Sequence, residues 1–241
     1  MAINNLSFSL EGSLKNDQEV LFSNLKLNIN HNKWTSIIGQ SGSGKSTLLK
    51  IIAGMELPKV FDNTLINSNT NYSFSWMAQN DLLLPWASVI ENVTLGQKLR
   101  REKIDIKKAK NLLEQVGLIN DAKKLPSTLS GGMKQRVALA RTLMENKDII
   151  LMDEPFSALD SITRSVIQKL TWKLLKNKTV IMVTHDPLEA LLLSNNLYYI
   201  SYHKLMPIKL PKSKPFRKIN NENLLYSHKY ILNKLEKSYI P

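Results

Sequence analysis

At 241 residues, 43% hydrophobic and 22% charged, the chain is long enough for one α/β domain with a sizeable core, or for a core plus a subdomain. It has no cysteine, which excludes disulfides, thiolate metal sites and a cysteine nucleophile, and no apolar run reaches membrane-spanning length. The net charge of +13 leaves nucleic acid, an anionic membrane surface and plain solvated lysines open as readings. The first residues lack the charged-then-apolar order of a signal peptide, so a cytosolic chain is expected.

In residues 3–10, Leu6, Phe8 and Leu10 alternate with Ser7 and Ser9, the period of a half-buried strand. Glu11-Gly12-Ser13 through Asp17 predicts a turn, and a second apolar stretch spans residues 20–29. His31-Asn32-Lys33 predicts another turn, with Asn32 suited to positive φ. Residues 34–38 then read as a buried strand, and residues 46–53 as a helix closed by Gly54.

Between that strand and helix stands Gly39-Gln40-Ser41-Gly42-Ser43-Gly44-Lys45-Ser46-Thr47, which fits the phosphate-loop pattern G-x-x-x-x-G-K-[ST] at every fixed position. The glycines let successive backbone N–H groups converge, and the helix N-terminus adds partial positive charge. Lys45 can reach the β- and γ-phosphates of a nucleoside triphosphate, and the Ser46 hydroxyl can ligate Mg²⁺. The strand–loop–helix frame favours this reading over an ordinary glycine-rich turn.

Residues 56–75 are polar, rich in Asn and Ser, and predict short antiparallel strands at a sheet edge. Trp76-Met77-Ala78 leads to Gln79, with the apolar group Leu82-Leu83-Leu84-Pro85-Trp86 soon after. Ser88-Val89-Ile90-Glu91 is a capping box opening a helix that runs towards Arg100. Asp105 caps another, with Ala109, Leu112, Leu113 and Val116 on one face and Gly117 closing it. Further on, Leu129-Ser130-Gly131-Gly132-Met133-Lys134-Gln135-Arg136 opens a helix that Ser130 can cap. Gly131 and Gly132 leave its first amides uncovered, which makes a second anion site or simply a capped helix.

Residues 149–152 form an apolar run ending in Asp153-Glu154-Pro155, a buried parallel strand with two carboxylates at its C-terminal edge. Ligands sit at that edge of open parallel sheets. Asp153 can hold Mg²⁺ and Glu154 can orient and polarise an attacking water, while Asp160 is placed to cap a helix over 161–175. Residues 179–184 read as a further buried strand with His185 at its end, on the same edge as the phosphate loop and Glu154. Asp186-Pro187-Leu188-Glu189 starts the next helix. Residues 196–202 and 205–210 predict an edge hairpin, 211–218 a basic linker, and 221–237 a closing helix. That helix carries Leu224, Leu225, His228, Ile231, Leu232 and Leu235 at helical spacing.

The fold class that follows is α/β, a P-loop NTPase core with a mostly parallel sheet, an N-terminal antiparallel β region and an inserted helical subdomain. Residues 1–79 and 145–210 are assigned to the core, 80–144 to the helical subdomain, and 211–241 to the linker and last helix.

Taken in order, the phosphate loop, Gln79, the segment Leu129 to Arg136, Asp153-Glu154 and His185 resemble the ATPase subunit of ABC transporters over essentially the whole chain. The resemblance implies ATP and Mg²⁺ as cofactors, with Gln79 the Q-loop residue, Ser157-Ala158-Leu159-Asp160 the D-loop and His185 the switch histidine. It assigns Lys45, Gln79, Glu154 and His185 to catalysis, residues 39–47 with Ser130, Gly131 and Gly132 to nucleotide binding, and Ser46, Gln79 and Asp153 to the metal. It implies a head-to-tail homodimer on the cytoplasmic face of the membrane. That dimer would be joined to permease subunits and, through them, to a solute-binding protein.

Asp81-Leu82-Leu83-Leu84-Pro85-Trp86 followed by Glu91-Asn92-Val93 is similar to the nitrate, sulfonate and taurine group of importers, which includes thiamine-precursor importers. Two positions depart from the family. The aromatic that usually stacks on adenine aligns near Leu10, so Phe8 or Phe22 substitutes or adenine is held weakly, and Asn195-Asn196 replaces a usual charged pair. The competing function is a soluble ABC ATPase acting on nucleic acid or ribosomes. It is disfavoured because the chain has neither a coiled coil between Gln79 and Ser130 nor a second cassette.

Overall fold

A computed structural model describes residues 6–16, 19–55, 59–67, 73–220 and 222–237. In chain order its elements are β1 (Leu6–Asn16), β2 (Glu19–Asn30), β3 (Trp34–Gly39), α1 (Lys45–Ile52), β4 (Lys59–Asn67), β5 (Phe74–Met77), α2 (Val89–Leu99), α3 (Ile106–Gln115), α4 (Gly131–Met144), β6 (Ile149–Asp153), α5 (Ser161–Leu175), β7 (Thr179–Thr184), α6 (Pro187–Leu193), β8 (Asn196–Ser201), β9 (Lys204–Ile208) and α7 (Glu222–Lys237). Backbone contacts divide the chain into two compact units, Met1–Tyr72 with Leu175–Pro241, and Ser73–Leu174.

In the first unit, β1 is flanked by β2 and β4 in an antiparallel sheet. Strands β7, β3 and β8 run parallel, and β9 is added antiparallel to β8. Every residue of β3 and β7 is buried, as expected of strands covered on both faces. Helix α1 ends in a Schellman motif: Gly54, at φ 70, donates its N–H to Ile51, and Met55 donates to Lys50. Asn32 takes φ 55 in the turn before β3, as read.

The turn predicted from Glu11 through Asp17 is not formed over residues 11–16. Strand β1 continues to Asn16, and Gly12, at φ 128, sits where the register with β2 shifts. Gly at positive φ serves a bulge as readily as a turn, so the residue was identified and its use was not. Asp17 and residues 3–5 lie outside the described residues.

Helix α7 turns Leu224 and Ile231 into the core and leaves Leu225 and Leu232 exposed, so its apolar face is narrower than the leucine spacing suggests. The segment before α7 is anchored by Arg217, which is buried. Its guanidinium donates to the carbonyls of Leu191 at 2.6 Å and Ser194 at 2.7 Å. Burial pulls its pKa down from the ordinary arginine value.

In the second unit, β5 pairs with β6 in parallel, which corrects the antiparallel edge expected up to residue 75. Of that stretch, β4 is antiparallel as read, and 56–58 and 68–72 lie outside the described residues. Helices α2 and α3 lie against α4. Ser88 and Glu91 form the capping box reciprocally, and hydrogen bonds from the Ser88 hydroxyl and N–H hold the Glu91 carboxyl below its usual range. Asp105 accepts from the Lys108 N–H and caps α3, and Gly117, at φ 70, closes that helix. No helix among the described residues is long and apolar enough to cross a membrane.

Candidate nucleotide-binding site

In the first unit, the candidate site begins where β3 ends. Gly44, at φ 88, is the N-cap of α1, and the Ser43 N–H donates to the Gln40 carbonyl across the loop at 3.2 Å. A Cβ on Gly44 would lie 3.1 Å from Cζ of Phe22, and one on Gly39 would lie 2.7 Å from the Ser43 hydroxyl. The loop is therefore folded tightly enough to expose its backbone amides only because those side chains are absent. Lys45 is buried, and its ammonium donates to the carbonyls of Gly39 at 2.9 Å and Gln40 at 2.6 Å. The Ser43 hydroxyl is buried with no hydrogen-bond partner in the protein, an orphan donor within an anion-binding loop.

Strand register places the neighbours of this loop. Ile38 pairs with Thr184 of β7, so His185 follows at the level of the loop, on an exposed position. On the other side Gly39 pairs with Ile200 of β8. The loop and His185 thus share one strand edge, as read from the sequence. Asp186 caps α6 through the N–H groups of Leu188 and Glu189. The Glu189 carboxylate accepts from the Thr184 hydroxyl at 2.6 Å.

Phe8, Leu10 and Phe22 are all buried, and the Phe22 ring forms the floor beneath Gly44. Neither phenylalanine offers a face to a base, which corrects the expectation that one of them substitutes for the missing aromatic.

In the second unit, the register Met77↔Met152 brings the residue after β5 beside the end of β6. The Gln79 amide donates to the Glu154 carboxylate at 3.4 Å, across 75 positions of sequence. Asp153 is buried at the end of β6, and Glu154 takes φ 45, a left-handed conformation uncommon for a residue with a Cβ. The Ser157 N–H and hydroxyl both donate to the Glu154 carbonyl and hold that turn. Ser130 caps α4 by accepting from the Met133 N–H, with Gly131 opening onto free space. Asp160 caps α5, and hydrogen bonds from the Thr163 and Ile162 N–H groups hold its carboxyl below the usual range.

Three side chains that sequence reading passed over or gave no structural task position these residues. Gln135, buried in α4, donates to the Pro155 carbonyl at 2.5 Å, behind Glu154. Arg141, further along α4, donates to the carbonyls of Asp81 at 2.5 Å and Leu82 at 2.8 Å, just past Gln79. Burial lowers its pKa against the opposing charges of Asp81 and Glu145. Asn92 is fully buried; its Oδ1 accepts from the Leu84 N–H, and its Nδ2 faces the carbonyls of Leu84, Ala87 and Ser88. The segment so held presents Leu82 and Trp86 to solvent, 62% and 75% exposed. No single-sequence signal marks these contacts, because each joins residues whose types are common elsewhere.

The β3–loop–α1 arrangement and the parallel strands around it define a phosphate-loop nucleoside triphosphatase. The family model described as ABC transporter matches residues 22–157. An "Uncharacterized ABC transporter ATP-binding protein" of Haemophilus influenzae is 41% identical over 230 residues, covering 92% of this chain and 95% of the relative. An "Aliphatic sulfonates import ATP-binding protein SsuB 1" of Rhodococcus jostii is 43% identical, covering 79% of this chain and 78% of its own. Among solved structures, the dimeric post-hydrolysis state of the ATP-binding cassette MJ0796 bound to ADP and Pi aligns at a TM-score of 0.69 and 31% identity, over 88% of this chain and all of that one. The chain belongs to the ABC transporter ATP-binding family and is an ATPase subunit.

Proposed function

We propose that this chain powers an importer: a head-to-tail homodimer that couples ATP hydrolysis to solute uptake through separate permease subunits, on the cytoplasmic face of the membrane. The solute class supported best is an aliphatic sulfonate or another solute of the nitrate, taurine and thiamine-precursor group. Support for the class comes from the sulfonate-import relatives at about 40% identity. MJ0796, dimeric at 31% identity, supports the homodimer.

Residue roles in this reading rest on the family resemblance together with the chemistry of each side chain. The amides of Gly39 to Thr47 and the Lys45 ammonium hold the β- and γ-phosphates. The Ser46 hydroxyl, the Gln79 amide oxygen and the Asp153 carboxylate are hard oxygen donors of the kind Mg²⁺ takes, and the buried carboxylate of Asp153 gains from a cation. Those three residues would hold the ion, whose positive charge would offset the negative charge of the phosphates. Glu154 orients the attacking water, His185 hydrogen-bonds the γ-phosphate, and Ser130, Gly131 and Gly132 of one subunit close over the ATP of the other.

The observation that carries the coupling role is the hydrogen bond of Gln79 to Glu154, followed a few residues on by the exposed Leu82, Pro85 and Trp86. An exposed aromatic and proline beside the group that touches the hydrolytic carboxylate is a surface for a permease helix. Trp86→Ala is expected to leave the isolated subunit folded and ATP-binding, and to weaken permease assembly by roughly 2 kcal/mol or more. The measurement is co-purification from detergent-solubilised membranes, with uptake assayed alongside. Unchanged assembly removes the docking role. Recovery of ribosomes or DNA instead of a membrane protein favours the nucleic-acid reading, to which the charge of +13 also lends itself.

A further inference from the structure

The hairpin of β8 and β9 turns in two residues: Ser201 faces Lys204, and Tyr202 and His203 make the loop. Both take positive φ, 46 and 62. With both residues left-handed this is the kind of tight turn that follows the twist of the strands, and Asn-Gly or Gly-Gly commonly fills it. A tyrosine and a histidine at these positions work against their own Cβ atoms. Strain of this kind persists where surrounding contacts over-determine it, and it concentrates at functional sites.

Those contacts are present. The His203 carbonyl accepts from the Ser23 N–H at 2.8 Å, and the His203 ring nitrogen Nδ1 lies 3.2 Å from the Leu21 carbonyl. The turn is laced to β2 through His203, which leaves Tyr202 standing free, 73% exposed. Tyr202 and His203 form one wall of a cavity of about 310 Å³. The phosphate loop from Gln40 to Gly44 forms another, and Val20 and Leu21 a third. This volume lies at the small-ligand end of binding cavities.

A triphosphate seated in the loop must carry its nucleoside out beside it, and a nucleobase needs a flat apolar face to leave water. The phenylalanines that could have supplied one are in the core. We infer that Tyr202 stacks on the nucleobase of bound ATP, with the aliphatic wall of Val20 and Leu21 enclosing the nucleoside in the same cavity. This rests on the reading of residues 39–47 as the ATP site. The adenine subsite is thereby supplied from the β8–β9 turn rather than from the first strand. The strain in that turn is the means of keeping a large ring in place at its tip.

The test measures binding of Mg-ATP and of Mg-tripolyphosphate, which lacks a base, to the purified full chain and its variants. Tyr202→Asn fits the turn better, so its thermal midpoint should rise while ATP affinity falls roughly tenfold or more and tripolyphosphate affinity holds. Tyr202→Phe should retain ATP affinity, because the ring and not the hydroxyl acts. ATP affinity unchanged in Tyr202→Asn overturns the inference, as does a parallel loss of ATP and tripolyphosphate. Failure of the unmodified chain to bind either ligand instead overturns the ATP-site reading beneath it.

Discussion

The two units set their candidate site residues in opposite ways. Around the phosphate loop the parts are sequence neighbours: Lys45 bonds carbonyls five and six residues back, and Gly44 caps the helix that Lys45 begins. Around Glu154 the parts come from afar. Gln79 reaches across 75 positions, Arg141 across 60, and Gln135 across 20. A loop whose geometry is written locally can be recognised from nine letters. A carboxylate whose surroundings are assembled from other elements cannot, and its setting depends on the folding of the whole unit.

Three substitutions sharpen this contrast, and the largest effect falls on hydrolysis. Glu154→Gln keeps the shape of the side chain and its contact with Gln79 while removing the charge proposed to orient water. Turnover should fall by roughly 10²- to 10⁴-fold with ATP binding retained. Near-normal turnover, read by phosphate release, reassigns Glu154 to the turn it occupies.

Lys45→Ala comes next. Removing a charge-assisted partner of the phosphates should weaken ATP binding by roughly 10- to 100-fold while the far-ultraviolet spectrum and thermal midpoint stay close to the parent, because the loop is otherwise self-contained. A collapse of the fold would show that the Lys45 contacts to Gly39 and Gln40 are what hold β3 and α1 together.

Arg141→Ala should have the smallest effect of the three, a loss of about 1–2 kcal/mol of stability, since the Asp81 and Leu82 carbonyls it leaves lie close enough to solvent to be hydrated. Its signature is local: faster amide hydrogen exchange over residues 81–87, with α1 unaffected. Uniformly faster exchange across the chain would instead make Arg141 a global stabiliser.

The same contrast explains what the sequence discloses. The helix starts at Ser88, Asp105, Ser130, Asp160 and Asp186 are all used as read, because a cap and its target amides lie within three residues. The glycines after α1 and α3 close their helices for the same reason. Gly12 misled because its positive φ fits a bulge and a turn alike, and the partner β4 that keeps β1 extended lies about 50 residues away. The parallel pairing of β5 likewise depends on β6, which no pattern within residues 74–77 records. Tyr202 and His203 read as an unremarkable part of a hairpin. Only the register with Lys204 shows that two bulky residues occupy a turn that favours small ones.

Among the described residues, the hydrogen bonds of the buried Asn92 amide go to main-chain atoms: the Leu84 N–H and the carbonyls of Leu84, Ala87 and Ser88. The bracket that shapes residues 84–88 is therefore indifferent to which side chains stand at 85 and 86. Recognition and architecture are separable here, so the outward letters can be rewritten while the frame that displays them stays fixed. Such a frame meets a partner with its ordering cost already met during folding, and affinity is gained without lengthening the contact. Under the proposed docking role, an engineer seeking to re-address this subunit would begin at Pro85 and Trp86 and leave Asn92 alone.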